Sequence, residues 1–298
     1  MIQEISCLKK ELNAIILAHN YQVSSVQNAA DFVGDSLELS RTAANMNCDV
    51  IIFCGVDFMA ETAAILSPQK TVILPEPTAS CPMAQMITAD QLKNARELYP
   101  DAAVVCYVNS TAEVKAESDV CCTSANAISV VNSLSQKQVI FVPDENLARY
   151  VAKYTNKDII PWNGYCYVHS QFKPEEVLEA RRLHPNAEIL VHPECRPEVI
   201  DLADYVYSTS GMGKHAKASK AAEFIIGTEV GLLCRLEKEN PSKKFYPLSE
   251  KAICQNMKKT NLEKVLNALQ TLQPRVMVQE DIARRAKRSI ERMLAIKS

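Results

Sequence analysis

The segment "QLKNARELYPDAAVVCYV" (residues 91–108) returns as "EVLEARRLHPNAEILVHP" (176–193), 85 residues later. Between them Ala95/Ala180, Arg96/Arg181, Leu98/Leu183, Pro100/Pro185 and Ala102/Ala187 are identical. Each copy opens with a helical pattern and closes in a continuous apolar run. A run without alternation is what a strand covered on both faces of a parallel sheet requires. The register then holds without a gap. "NSTAEVKAESDVCCTS" (109–124) lies over "ECRPEVIDLADYVYST" (194–209), where Glu113/Glu198, Val114/Val199 and Asp119/Asp204 agree. Further on, "VIFVPDENL" (139–147) lies over "FIIGTEVGL" (224–232). One offset sustained over roughly 70 positions marks two copies of a three-stranded α/β unit.

Outward from this pair, the N-terminal stretch reads as a third, diverged copy. Its strand candidates are "AIILAHN" (14–20), "VIIFCGV" (50–56) and "TVILPEP" (71–77), with a long first crossover over 22–47. The ending "LPEP" resembles "VPDE" (142–145) at the end of the second copy. Nine such strands separated by helices predict an α/β protein built from three similar αβα three-layer units, each with a small parallel sheet. The expected units are 1–80, 81–165 and 166–250, followed by a C-terminal segment, 251–298, of packing helices.

Hydrophobic content of 47%, charged content of 23% and a net charge of −2 are ordinary for a globular chain. No basic block supports a nucleic-acid partner, and no run of 18 apolar residues supports a membrane span. The N-terminal residues lack a signal peptide's layout, so the expected location is cytoplasmic. With 7 glycines and neither GxGxxG nor GxxxxGK[ST], a dinucleotide or P-loop site is disfavoured.

Eleven cysteines are many for a reducing compartment, and point to thiols or metal ligation rather than a disulfide scaffold. The repeat offset carries Cys81, in "TASCPMA", onto Cys166, in "NGYCYVHSQF"; Cys254, in "KAICQNMKKTNL", follows 88 residues later. One cysteine therefore opens each unit boundary. If three similar units pack about a pseudo-threefold axis, these thiols converge on it. Soft thiolates select zinc or an iron–sulfur cluster, and three of them leave a metal position open. Taken singly, each also reads as an ordinary buried cysteine. The other eight read as core, with Cys195 less plain because polar residues adjoin it.

Ligand crevices in parallel α/β units lie beyond the carboxyl ends of the strands. The first strands end in His19-Asn20-Tyr21, Tyr107-Val108-Asn109 and His192-Pro193-Glu194; the second in Thr123-Ser124 and Ser208-Thr209; the third in Glu76, Asp144 and Glu229. Ser36 and Ser124 stand where helices start, beside free amides that suit carboxylate or phosphate oxygens. The plain alternatives are helix caps for Ser36, Ser124 and Thr209, structural histidines for His19 and His192, and core aromatics for Tyr21 and Tyr107. Glu194 resists such a reading, because an unpaired buried carboxylate is costly. His169, three residues after Cys166, reads as a supporting residue at most.

Together "ILAHNYQ", "DFVGDSLELS", "FMAET" with "SCPMA", "YVNSTAEVKAESD", "TSANA", "VHPEC", "STSGM", "IGTEVGLL" and "NMKKTNLEKVL" resemble the quinolinate synthase family over residues 14 to 295. The resemblance implies αβα domains in pseudo-threefold arrangement around a [4Fe–4S] cluster held by Cys81, Cys166 and Cys254. It implies condensation of iminoaspartate with dihydroxyacetone phosphate to quinolinate, in NAD biosynthesis, with cluster iron as Lewis acid, and a functional link to L-aspartate oxidase. Substrate contacts carried over are His19, Ser36, Tyr107, Val108, Asn109, Ser124, His192, Pro193, Glu194 and Thr209. Acid–base work falls to His19, Tyr21, Tyr107, His192 and Glu194. The CxxCxxC that some family members have near the third ligand is missing here, where Cys254 stands alone. The other classes open to the same residues are a zinc-dependent or metal-free lyase using the Cys81 thiolate, and a non-catalytic iron–sulfur sensor.

Overall fold

The computed structural model describes residues 1–296. Three four-stranded sheets, each paired in parallel throughout, carry the chain. The first holds β1 (Ala14–His19), β2 (Phe32–Gly34), β3 (Val50–Cys54) and β4 (Thr71–Ile73), in the order β2-β1-β3-β4. The second holds β5 (Ala103–Tyr107), β6 (Val120–Cys122), β7 (Gln138–Val142) and β8 (Asp158–Pro161), ordered β6-β5-β7-β8. The third holds β9 (Glu188–Val191), β10 (Tyr205–Val206), β11 (Glu223–Gly227) and β12 (Lys244–Pro247), ordered β10-β9-β11-β12. The inner strands β1, β3, β5, β7, β9 and β11 are the continuous apolar runs, buried along almost their whole length. Helices flank each sheet, which covers both faces as such strands need.

Each sheet therefore has a fourth strand beyond the three expected. The strand pairing also corrects the alignment of the first unit. β1 and β3 pair Ile15 with Ile51, β5 and β7 pair Ala103 with Val139, and β9 and β11 pair Glu188 with Phe224. "VIIFCGV" is thus the third strand of its unit, and "TVILPEP" supplies the outer fourth strand, β4. Val56, not Glu76, then occupies the place of Asp144 and Glu229. The backbone agrees. The N–H of Asp57 donates to Ala79 O at 2.9 Å, that of Glu145 to Gly164 O at 2.8 Å, and that of Val230 to Ala252 O at 3.0 Å.

The repeated charges have one structural purpose. Asp119 accepts from the N–H of Val104 at 2.7 Å and pairs with Arg96; Asp204 accepts from Ile189 N–H at 2.8 Å and pairs with Arg181. In the first unit Asp31 accepts from Ile16 N–H at 2.8 Å and pairs with Lys9. Each aspartate ties the loop before a sheet's second strand to its first strand, and fixes the start of the pair.

The C-terminal segment packs back on two of the units. Helix Leu262–Thr271 lies against helix Ile2–Glu11 and β3, whereas helix Glu280–Ala295 buries Ala286, Ser289, Ile290 and Met293 against helix Ala112–Ala116 and β6. Among the described residues no helix is long and apolar enough to cross a membrane. Cys48, Cys54, Cys106, Cys121, Cys122 and Cys195 are buried as expected. Cys7 is exposed and Cys234 half-buried, because each sits on the outer side of an amphipathic helix.

Candidate active site

Beyond the carboxyl ends of β1, β5 and β9, one cavity takes side chains from all three sheets. It is lined by His19, Tyr21 and Ser36 from the first, by Tyr107, Asn109 and Ser124 from the second, and by His192, Glu194 and Thr209 from the third. Cys81, Cys166 and Cys254 line the same cavity. Two expected contacts lie elsewhere: Val108 is buried in the core, and Pro193 lines an adjoining cleft.

The helix starts separate capping from binding. Asp35 caps helix Ser36–Asn45, accepting from the N–H groups of Leu37 and Glu38. Ser208 caps helix Thr209–Ala218 through Gly211 N–H. Ser36 and Thr209 are therefore the residues after the caps, and their hydroxyls are not spent on the backbone amides. Thr209 Oγ1 accepts from Asn20 Nδ2 at 2.9 Å, and Ser124 Oγ lies 3.2 Å from His192 Nε2. Asn109 Oδ1 is buried without a hydrogen-bond partner, an atom aimed at something other than protein.

Around Glu194 runs a hydrogen-bond chain that sequence reasoning saw only in part. The Tyr107 hydroxyl donates to Glu194 Oε1. His169 Nδ1 lies 2.9 Å from Glu194 Oε2, its Nε2 lies 2.8 Å from Thr228 Oγ1, and Thr228 Oγ1 lies 2.7 Å from the Tyr21 hydroxyl. With the carboxylate ionised, the consistent assignment is Nδ1–H toward Glu194, the Thr228 hydroxyl donating to Nε2, and Tyr21 donating to Thr228. His169 stacks on His192 with centroids 4.4 Å apart. His169 carried one signal, its place three residues after Cys166. Thr228 carried none beyond adjoining Glu229 at the end of β11.

Burial raises the cost of charge throughout. It drives His19 and His192 down to about 3, Lys258 adding to the effect on the first and His169 on the second. Burial and the charge of Glu194 push the hydroxyls of Tyr21 and Tyr107 well above their ordinary value. Burial opposes ionisation of Glu194 too. The adjacent His169 and His192 rings, with hydrogen bonds from His169 and Tyr107, outweigh it and hold that carboxyl at about 2. The Glu194 carboxyl thus sits among donors from Tyr107 and His169. His19 Nδ1 accepts from Tyr21 N–H at 3.2 Å, which leaves its Nε2 as the protonated nitrogen.

The cysteines share a local design. Each opens a turn, the carbonyl of Cys81 accepting from Ala84, that of Cys166 from Ser170 and that of Cys254 from Lys258. Amides of those turns also favour each thiolate: Ala84 and Met83 at Cys81, His169 at Cys166, Met257 and Asn256 at Cys254. Against this, burial pushes Cys81 up to about 12 and raises the other two, so full ionisation needs a cation among them. The three sulfurs do not all lie within 4.8 Å of one another. A single tetrahedral zinc, with bonds of about 2.3 Å, would need them at about 3.8 Å. Three such thiols suit a soft metal centre. Donor atoms of Cys166, His169 and Glu194 do lie within 4.8 Å of one another, but both nitrogens of His169 already hold hydrogen bonds.

A family model described as "Quinolinate synthetase A protein" matches residues 3–295. The quinolinate synthase of Methanoregula boonei is 62% identical over 294 residues, covering 99% of this chain and 97% of the relative. Those of Dehalococcoides mccartyi and Thermodesulfovibrio yellowstonii are each 57% identical, covering 98% and 99% of this chain and 97% and 98% of the relatives.

Proposed function

The chain belongs to the quinolinate synthase family of enzymes, and from that premise we propose that it condenses iminoaspartate with dihydroxyacetone phosphate. The products are quinolinate, one phosphate and two waters, which balances every atom. The observation that carries the reading is the single cavity in which Cys81, Cys166 and Cys254 meet Glu194 and its ring of donors.

In this reading the three cysteines hold a [4Fe–4S] cluster. Such a group, when bound, supplies a metal position without protein ligand that polarises a carbonyl and eases departure of a hydroxyl. The protein's own residues do the rest. The hydroxyls of Ser36, Ser124 and Thr209 and the Asn109 amide hold the acidic groups of the substrates. Glu194, ionised, takes protons as the carbon–carbon bond forms and the ring closes. Tyr107 and the Tyr21–Thr228–His169 chain both end on Glu194, so a proton taken there has two routes to a leaving oxygen. His19 and His192 remain neutral and orient oxygens through N–H groups. The same reading arranges the units with pseudo-threefold symmetry, places the enzyme in the cytoplasm and links it functionally to L-aspartate oxidase.

The test is anaerobic purification, with iron, sulfide and spectra measured for the wild type and for Cys→Ala at each of the eleven positions. Quinolinate is followed from oxaloacetate, ammonia and dihydroxyacetone phosphate. Loss of iron confined to Cys81, Cys166 and Cys254, with quinolinate formed by the wild type, supports the reading. Stoichiometric zinc, or iron retained in any of those three variants, overturns it.

A further inference from the structure

Two buried carboxylates do the same thing at repeat-equivalent places. Asp144 follows β7, and Glu229, 85 residues later, follows β11; both are fully buried. Asp144 Oδ2 accepts the backbone N–H of Cys166 at 3.2 Å, while its Oδ1 accepts that of Leu147 at 2.6 Å. Glu229 Oε1 accepts the backbone N–H of Cys254 at 3.1 Å, while its Oε2 accepts that of Gly231 at 2.7 Å. Each carboxylate thus spans from the helix start after its strand to the cysteine 22 or 25 residues onward. Lys258 adds a second tie in the third unit, bonding Glu229 and reaching Tyr21 O at 2.6 Å.

We infer that Asp144 and Glu229 are positioning residues for the metal-binding cysteines. They fix the backbone of Cys166 and Cys254, and so the direction in which each thiolate is presented. The packing of the strap around each site supports this. Gly164, two residues before Cys166, lies so close to Pro143 O that a Cβ there would collide with it. A Cβ on Gly231 would lie 2.8 Å from Glu229 Oε2. The first unit is the internal control. Val56 stands at the equivalent place, and Glu76 accepts from Thr78 N–H instead of from Cys81. The expected consequence of losing a carboxylate is a looser ligand, since the supporting bonds of a metal site orient its ligands and commonly weigh 10–100-fold in affinity.

The inference rests on the proposal that these cysteines hold a cluster, and the test separates the two. Asp144→Ala, Glu229→Ala and the control Glu76→Ala are purified anaerobically beside the wild type. Iron release to a chelator and the EPR spectrum of the dithionite-reduced protein are recorded. Asp144→Asn and Glu229→Gln, which keep one of the two acceptor oxygens, provide intermediate variants and cover failure of an alanine variant to fold. Iron release at least tenfold faster in the two alanine variants, altered EPR g-values, a smaller acceleration in Asn and Gln, and wild-type behaviour of Glu76→Ala support the inference. Wild-type release rates and spectra in Asp144→Ala and Glu229→Ala overturn it. Should those alanine variants not fold, wild-type release rates and spectra in Asp144→Asn and Glu229→Gln, each of which leaves one of the two backbone N–H groups without an acceptor, overturn it as well. Absence of iron from the wild type overturns the cluster reading beneath it.

Discussion

The first unit and the two that follow it hold their cysteines differently. In all three, a backbone N–H beyond the third strand grips the carbonyl two residues before the cysteine. The second and third units add a buried carboxylate; the first has Val56 there, which lines the cavity. The backbone grip is thus the common inheritance of the scaffold, and the carboxylate is a second tie laid over it. The same places at the ends of the first strands carry Tyr21, Asn109 and Glu194. One scaffold position therefore yields a phenol, an amide and an acid facing one cavity. Repetition supplies the geometry, and divergence at equivalent positions supplies the chemistry.

The largest effect that would sharpen this contrast is at the acid. Glu194→Gln should lower quinolinate turnover by about 10²–10⁴-fold with iron content kept, because proton transfer is lost while the thiols are untouched. Steady-state rates beside iron analysis decide it; unchanged turnover would take Glu194 out of the chemistry. Next, Gly164→Ala should destabilise by about 1–3 kcal/mol, since a methyl must displace the strap against Pro143. Ala79 and Ala252 hold the equivalent places without difficulty, so denaturant unfolding at no cost would show the second unit's strap to be as loose as theirs.

The clasp aspartates test whether the units are energetically alike. Asp119→Ala and Asp204→Ala should each cost about 1–3 kcal/mol by orphaning a buried strand N–H. Arg96→Ala and Arg181→Ala should cost about 1 kcal/mol or less, their ion pairs being half-exposed. Paired values that diverge between units would break the equivalence. A further effect concerns pH. His19 and His192 titrate near 3 in the folded chain against 6.5 unfolded, so the unfolded state binds more protons in that window. Stability of the metal-free chain should fall as pH drops from 6.5 toward 3. Glu194, held at about 2 against 4.5, adds a loss of the same sign below pH 4.5. Thermal melts at stepped pH should show it, with a shallower slope in His19→Asn.

The repeat was legible because its identities are structural: the Arg96–Asp119 and Arg181–Asp204 clasps recur at one spacing. The inner strands were legible because burial on both faces demands unbroken apolar runs. β2, β8 and β12 were not. They are short outer strands in which polar and exposed residues dilute the pattern, as in "DIIP" and "KFYP". "TVILPEP" misled in the opposite sense, an outer strand with an inner strand's composition, and it drew Glu76 into a set where Val56 belongs. Of the cavity, the residues at strand and helix ends could be read from position alone. His169 and Thr228 could not, because their importance lies in bonds across 25 and 207 residues that no local pattern encodes.

Cys254 comes after the last of the three sheets. A growing polypeptide therefore cannot complete the trio of thiols until nearly all of it has left the ribosome. Any centre that needs all three thiols can therefore close only after the three sheets have been made.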